Sequence, residues 1–212
     1  PSCARFSAKK RTEQKLSGVQ VRWPRFDPAD PNRFAFLDEA SGTVQLSSAG
    51  SADAAAVTES AVKVQAFAWL PDGKKMAVLE QDASGGTCTA RLGTLDAGKL
   101  GAYVTLATKV DCTARLLAAP VGEHLALVAG KAIHVLNATA AIDASTATPT
   151  VTLDQPARDA DWTSDAAYLA VLKPAEAGGA GRLFLVSPTD QKVTAITTTG
   201  DYERIRASPA LH

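Results

Sequence analysis

The sequence lacks a charge excess of either sign. Lysine plus arginine and aspartate plus glutamate number 22 each, so no global field would draw the chain to nucleic acid or an anionic membrane. Its nearest approach to a basic patch, Lys9–Arg11, has no interleaved aromatic residues and reads as a solvated stretch, with no nucleic-acid partner expected. No apolar run approaches the roughly 18 residues a membrane span needs. Amphipathic helices are missing too. The one helical reading is Ala8–Leu16, which is polar on most sides.

Chemistry-bearing motifs are equally scarce. There is no Gly-x-Ser-x-Gly elbow, no Gly-x-Gly-x-x-Gly after a strand and no phosphate-binding loop, and Ala83–Gly86 reads as a hairpin tip. His124, His134 and His212 are too scattered to form a metal motif, and neither metal nor cofactor is expected. His134 falls within a strand, where a buried imidazole is the expected role. Asp27, Asp30 and Asn32 faintly resemble a calcium loop but lack its glycine and bidentate glutamate, so they read as turn caps. Asp159 and Asp161 alternate along a strand and share a face, a spacing that does not by itself make an acid–base pair.

Only three cysteines occur. Cys88 and Cys112 each open the string Cys-Thr-Ala-Arg, and their spacing does not suit zinc. Two readings stay open: a disulfide in an oxidising compartment, or two buried thiols acting as small apolar side chains. Ser2 before Cys3 resembles the end of a lipoprotein leader, without the hydrophobic stretch of one. The chain reads as a processed or excised piece of a longer protein.

What is present is a repeat. A four-residue apolar run recurs at Phe34–Leu37, Met76–Leu79, Leu125–Val128 and Leu169–Leu172, each with alanine second. Those alanines, Ala35, Ala77, Ala126 and Ala170, stand 42, 49 and 44 residues apart. Each run follows a turn: Asp27–Asn32, Pro71–Lys75, Pro120–His124 and Ser164–Tyr168. With Pro28, Pro71, Pro120 and Ser164 as landmarks, the residues two before are Phe26, Trp69, Ala118 and Trp162, and those four before are Pro24, Phe67, Leu116 and Ala160. Mostly apolar residues at a period of two describe a strand with one buried face.

A third strand follows each run, at Gly42–Ser48, Cys88–Asp96, Ala132–Ala138 and Gly181–Pro188. A weaker fourth follows at Ala54–Ser60, Ala102–Lys109, Thr148–Asp154 and Lys192–Thr198. Four antiparallel strands per unit of roughly 40 to 50 residues is the pattern of a β-propeller blade. The fold class is therefore all-β, with Phe26, Phe67, Trp69 and Trp162 expected between blades. A β-sandwich, the rival, accounts for short strands but not for their recurrence in one order with alanine in register. The expected organisation is an N-terminal extension, 1–17, then blades at 18–60, 61–109, 110–155 and 156–200, with a fifth begun at 201–212 around Ile205 and Pro209.

These repeats resemble those of TolB-like propellers, most plainly over Phe67–Gln81 and Ala160–Leu211. Arg25–Leu46 is similar to WD-repeat blades, although their Trp-Asp dipeptide is absent. The resemblance covers about residues 18–212 and implies a rigid platform for a protein or peptide partner. Related propellers cap prolyl-oligopeptidase-like hydrolases or bind small ligands, and those are the alternatives to a non-enzymatic scaffold. It also implies an extracytoplasmic compartment, with the cytosol left open.

In a propeller the first strand of each blade lines the central channel. Six before each landmark stand Arg22, Gln65, Ala114, Arg158 and Glu203; five before stand Trp23, Ala66, Arg115, Asp159 and Arg204. Of these, Arg22, Trp23, Gln65, Arg115, Arg158, Asp159, Glu203 and Arg204 form the candidate binding rim. Arginines and a tryptophan at a channel mouth suit a carboxylate or an extended peptide. Four blades are fewer than a common ring of six to eight, which needs roughly 270 to 380 residues. An open arc leaves a blade face for further blades or another chain to cover.

Overall fold

The computed structural model describes residues 3–6, 11–14, 19–59, 61–137, 140–174, 181–196 and 204–205. It opens with an antiparallel hairpin, β1 (Cys3–Phe6) and β2 (Arg11–Gln14). The first four-stranded sheet follows: β3 (Val21–Phe26), β4 (Arg33–Asp38), β5 (Thr43–Ser48) and β6 (Ala54–Ala56). The second holds β7 (Val64–Trp69), β8 (Lys75–Gln81), β9 (Cys88–Asp96) and β10 (Lys99–Val110). In the third are β11 (Arg115–Ala118), β12 (Leu125–Ala129) and β13 (Ala132–Leu136). A short β14 (Ile142–Asp143) leaves this sheet to pair parallel with β10, before β15 (Val151–Thr152) completes it. The fourth sheet is β16 (Asp159–Trp162), β17 (Leu169–Lys173), β18 (Arg182–Ser187) and β19 (Lys192–Ala195).

Each of the four sheets is an antiparallel meander, and the second strands β4, β8 and β12 are buried almost throughout. A strand covered on both faces needs an unbroken apolar run, and the recurrent four-residue runs supply it. The turns before them close alike. Leu70 N–H donates to Lys75 C=O at 3.0 Å, Ala119 to His124 at 2.9 Å and Thr163 to Tyr168 at 2.9 Å. In the first repeat, Asp27 N–H reaches Arg33 C=O at 2.9 Å across a turn one residue longer.

The core lies between sheets. Leu37, Val44, Phe67, Trp69, Met76 and Val78 fill the first junction. Leu79, Leu92, Leu106, Leu116, Leu125 and Leu127 fill the second. Val128, Ile133, Trp162, Leu169, Val171 and Val186 fill the third. The middle sheets divide their side chains by strand parity: in the third, Leu127 faces the second sheet while Ile133 faces the fourth. Trp162 is 2% exposed, and its indole N–H donates to the Leu117 carbonyl of the preceding sheet at 3.2 Å.

Three expectations need correction. Ala8–Leu16 does not supply a helix: Arg11–Gln14 is a strand, paired with Cys3–Phe6 from Phe6↔Arg11 to Cys3↔Gln14. An isolated helix of nine residues, polar on most sides, is too short to hold in water, whereas a hairpin pairs its backbone groups. Phe26 does not lie between sheets either. It pairs with Phe34 as Trp69 pairs with Met76, but that face of the first sheet clusters, among the described residues, only with its own sheet and lead-in, so Phe26 is 53% exposed, its ring 6.0 Å from that of Phe34. The fourth strands depart in length: β6 and β15 are shorter than expected, and β10 is longer.

Cys88 and Cys112 are joined by a disulfide, with Cα atoms 5.2 Å apart. His134 is buried opposite Leu127, and burial pushes its imidazole pKa below the ordinary value. Among the described residues, no helix is long and apolar enough to cross a membrane.

A half-buried latch joins the first two sheets at their turns. Arg33 donates from Nε to Asp27 Oδ2 at 2.5 Å and from Nη2 to the Gly73 carbonyl at 3.2 Å, while its guanidinium lies 5.6 Å from the centre of the Trp69 ring. Gly73 has φ +64°, and a Cβ there would run into Asp27 Oδ1 and, at 2.6 Å, Ala29 Cβ. Gly50 has φ +90° with nothing near its Cβ position. Urea denaturation should show Gly50→Ala costing about 1–2 kcal/mol for the left-handed backbone alone. Gly73→Ala should cost about 3 kcal/mol or more, since the latch must also move. Equal losses would show that the two turns do not interlock.

Candidate functional site

The residues expected at the rim fall into three groups. The first surrounds Asp159, the buried first residue of β16. Arg115, the first residue of β11, donates from Nη1 to Asp159 Oδ1 and from Nη2 to the Arg158 carbonyl, the latter at 2.7 Å. The N–H of Ala160 also donates to Oδ1, at 3.0 Å, and that of Ile205 to Oδ2, at 2.9 Å. One carboxylate thus joins Arg115, the start of β16 and the segment carrying Arg204. Arg158 and Arg204 are both exposed beside it. Lys173 reinforces the same junction: its Nζ donates to Asp154 Oδ1 at 2.5 Å and lies 3.5 Å from the centre of the Phe184 ring. That hydrogen bond holds the Asp154 carboxyl below the usual range.

The second group is Arg22 and Trp23 on β3. Arg22 pairs with Glu39 at 3.1 Å and lies 4.2 Å from the centre of the Trp23 ring. Trp23 is 41% exposed and has φ +50°, inside the bulge and just before Pro24. A residue before proline normally stays extended, so this backbone is strained and turns an aromatic face outward. Asp38 fixes the surroundings. Burial pushes its carboxyl up, but hydrogen bonds from Ser41 and from the N–H groups of Gln20, Ala40 and Ser41 outweigh burial and hold its pKa below the ordinary value. Glu39 N–H then donates to the Gln20 carbonyl at 3.0 Å, which sets Glu39 against Arg22.

Gln65, on β7, makes the third group. It is half-buried and donates to Gln81 Oε1 at 3.4 Å. Nearby, burial pushes the Glu80 carboxyl above its usual range, opposed by Arg91 at 3.4 Å. Glu203 lies outside the described residues. Among those described, no three His, Cys, Asp or Glu side chains gather into a group able to hold a metal ion. Asp27 and Asp30 accept hydrogen bonds within their own turn, from Ala29 N–H at 2.8 Å and Asn32 N–H at 2.9 Å.

Glu39, Gln81 and Ile205, partners of rim residues, were missed by reading the sequence. Glu39 is legible once the β3–β4 register is drawn, because Arg22 stands opposite Leu37. Ile205 contributes a backbone N–H, which carries no side-chain signal.

The inner strands and the mutual covering of the sheets decide the architecture. This is a β-propeller fold. TolB from Acinetobacter baumannii superposes with a TM-score of 0.64 at 13% identity, over 92% of this chain and 48% of that one. The β-propeller domain of Cps50 (Swd1) from Myceliophteria thermophila does so at 0.57 and 14%, over 90% of this chain and 63% of that one. A prolyl endopeptidase structure gives 0.54 and 12%, over 88% of this chain and 31% of that one. The chain therefore spans about half the length of the TolB structure and less than two thirds of the other two. The sequence matches no protein-family model and no curated protein.

Asp159 should matter more than the arginine facing it. Asp159→Ala strands buried N–H groups and is expected to cost about 2–3 kcal/mol by urea denaturation. Arg115→Ala should cost about 1 kcal/mol or less, because that side chain is 44% exposed. The reverse order would remove Asp159 from the centre of the junction.

Proposed function

We propose that the chain is a non-enzymatic propeller segment that binds a protein or peptide partner at the rim where its inner strands begin. What carries this reading is the chemistry at those strand starts: Arg115 bonded to Asp159, the exposed Arg158 and Arg204 beside residues bonded to that pair, and an exposed Trp23 beneath Arg22. Arginine forks bind carboxylates in two-point fashion, and exposed tryptophan supplies contact area with few rotors to freeze. Arg22, Trp23 and Arg115 sit on strands whose positions are set by packed sheets, so little ordering of that backbone is left to binding. The blade numbering of 18–60, 61–109, 110–155 and 156–200, with a fifth begun at 201–212 as part of a larger ring, belongs to the same proposal. The disulfide supports an oxidising, extracytoplasmic compartment.

A second reading draws on the hydrolases among the similar structures, a prolyl endopeptidase and a puromycin hydrolase. In it the chain is the accessory propeller of a hydrolase, and the rim faces a catalytic domain instead of a separate partner.

A photo-crosslinking residue placed at Arg158, compared with one at Val104 on the outer edge of β10, tests the proposal in the native source. Cross-linking to a distinct protein or peptide from position 158 and not from 104 is the expected result. Equal capture at both positions, or none at 158, would contradict a binding rim. Capture of a hydrolase domain of the same polypeptide would favour the second reading.

A further inference from the structure

We infer that the Cys88–Cys112 disulfide is a redox-operated lock on this rim: reduction frees the start of β11 and disengages Arg115 from Asp159. The consequence for binding rests on the proposed function, whereas the lock itself is a property of the chain alone.

The link from the second sheet to the third, residues 111–114, is the shortest of its kind; the first and third links span 57–63 and 153–158. It is a closed turn. Asp111 Oδ1 accepts the N–H and hydroxyl of Thr113, each at 2.8 Å, and Ala114 N–H donates to the Asp111 carbonyl at 2.9 Å. Cys112 lies inside that turn and is bonded to Cys88, the first residue of β9, which is fully buried and pairs with Val110. Two residues then separate Cys112 from Arg115.

Arg115 is the end rung of a four-residue strand, paired with Val128, and end rungs fray unless something beyond them is anchored. The disulfide is that anchor. With it closed, Ala114 and Leu116 stay in the core cluster, and Arg115 points across the junction to Asp159 and the Arg158 carbonyl. With it open, the turn remains folded on itself and is held to the second sheet only through the chain at Val110 and the packing of Ala114.

The asymmetry of the two cysteines sets the chemistry. Cys88 is inaccessible, whereas Cys112 is only partly buried. A dithiol reductant therefore attacks with one thiolate at Cys112 Sγ. The S–S bond breaks, and its electron pair leaves on Cys88 Sγ, which takes a proton. The reductant's second thiol then displaces Cys112 from the mixed disulfide as a thiol. Two electrons and two protons pass to the protein, and the dithiol becomes a disulfide.

Hydrogen exchange on a Cys3→Ser background, oxidised and then reduced with dithiothreitol, tests the lock without any partner. Reduction should speed exchange of the β11 amides about tenfold more than those of β8 or β17, and reoxidation should reverse it. The Cys88→Ala/Cys112→Ser variant should show the fast level and ignore the reductant. An equal rise in all sheets would make the bond a general staple, and no rise would make it inert; either overturns the inference. Failed cross-linking at position 158 would overturn the binding rim and leave the lock standing.

Discussion

A sheet with apolar side chains on both faces cannot dry either face by itself, and the middle sheets here have that problem. Leu127 and Ile133 project from opposite faces of the third sheet, and Leu79 and Val78 from opposite faces of the second. Burial of such side chains is worth about 1.5–3 kcal/mol each, so the sheets are driven to cover one another in sequence. Side-by-side packing follows, with each repeat supplying half of two junctions. The repeated alanines fit this constraint, since Ala35, Ala77 and Ala126 are fully buried in the second strands.

The polar contacts between sheets refine that packing. Each junction has its own: Arg33 with Asp27 and Gly73 at the first, Lys75 with Glu123 at the second, Arg115 with Asp159 and Lys173 with Asp154 at the third. Arg33 and Lys75 hold the same place, the first residue of a second strand, and each reaches the turn of the next sheet, whereas the contacts of the third junction stand elsewhere. They set the angle and register of neighbours that hydrophobic burial has already brought together. Where such a contact lies at the beginning of an inner strand, it also presents charge at the rim, and architecture and candidate function meet in the same side chains.

Much of the architecture was legible because it depends on periodicity. The strand Cys88–Asp96 is read off the sequence with its observed limits, and the turn landmarks match the recurring N–H to carbonyl closures. Local irregularity was not legible. Nothing in Val21–Phe26 announces a bulge, yet that bulge holds Trp23 with its left-handed backbone. Strand β14 was also unreadable, since two residues pairing with a neighbouring sheet leave no pattern. Of the rim, the residue types were visible in advance. The convergence on Asp159 was not, because it joins atoms 43 to 46 residues apart and partly through main chain.

Mutual covering is tested most directly by truncating the two faces of one sheet separately and following native-state hydrogen exchange in its neighbours. Leu127→Ala should loosen β8 of the second sheet and spare β17 of the fourth, while Ile133→Ala should do the reverse. Losses confined to the third sheet in both variants, or the same pattern from both, would contradict an arc of sheets that shield each other face by face.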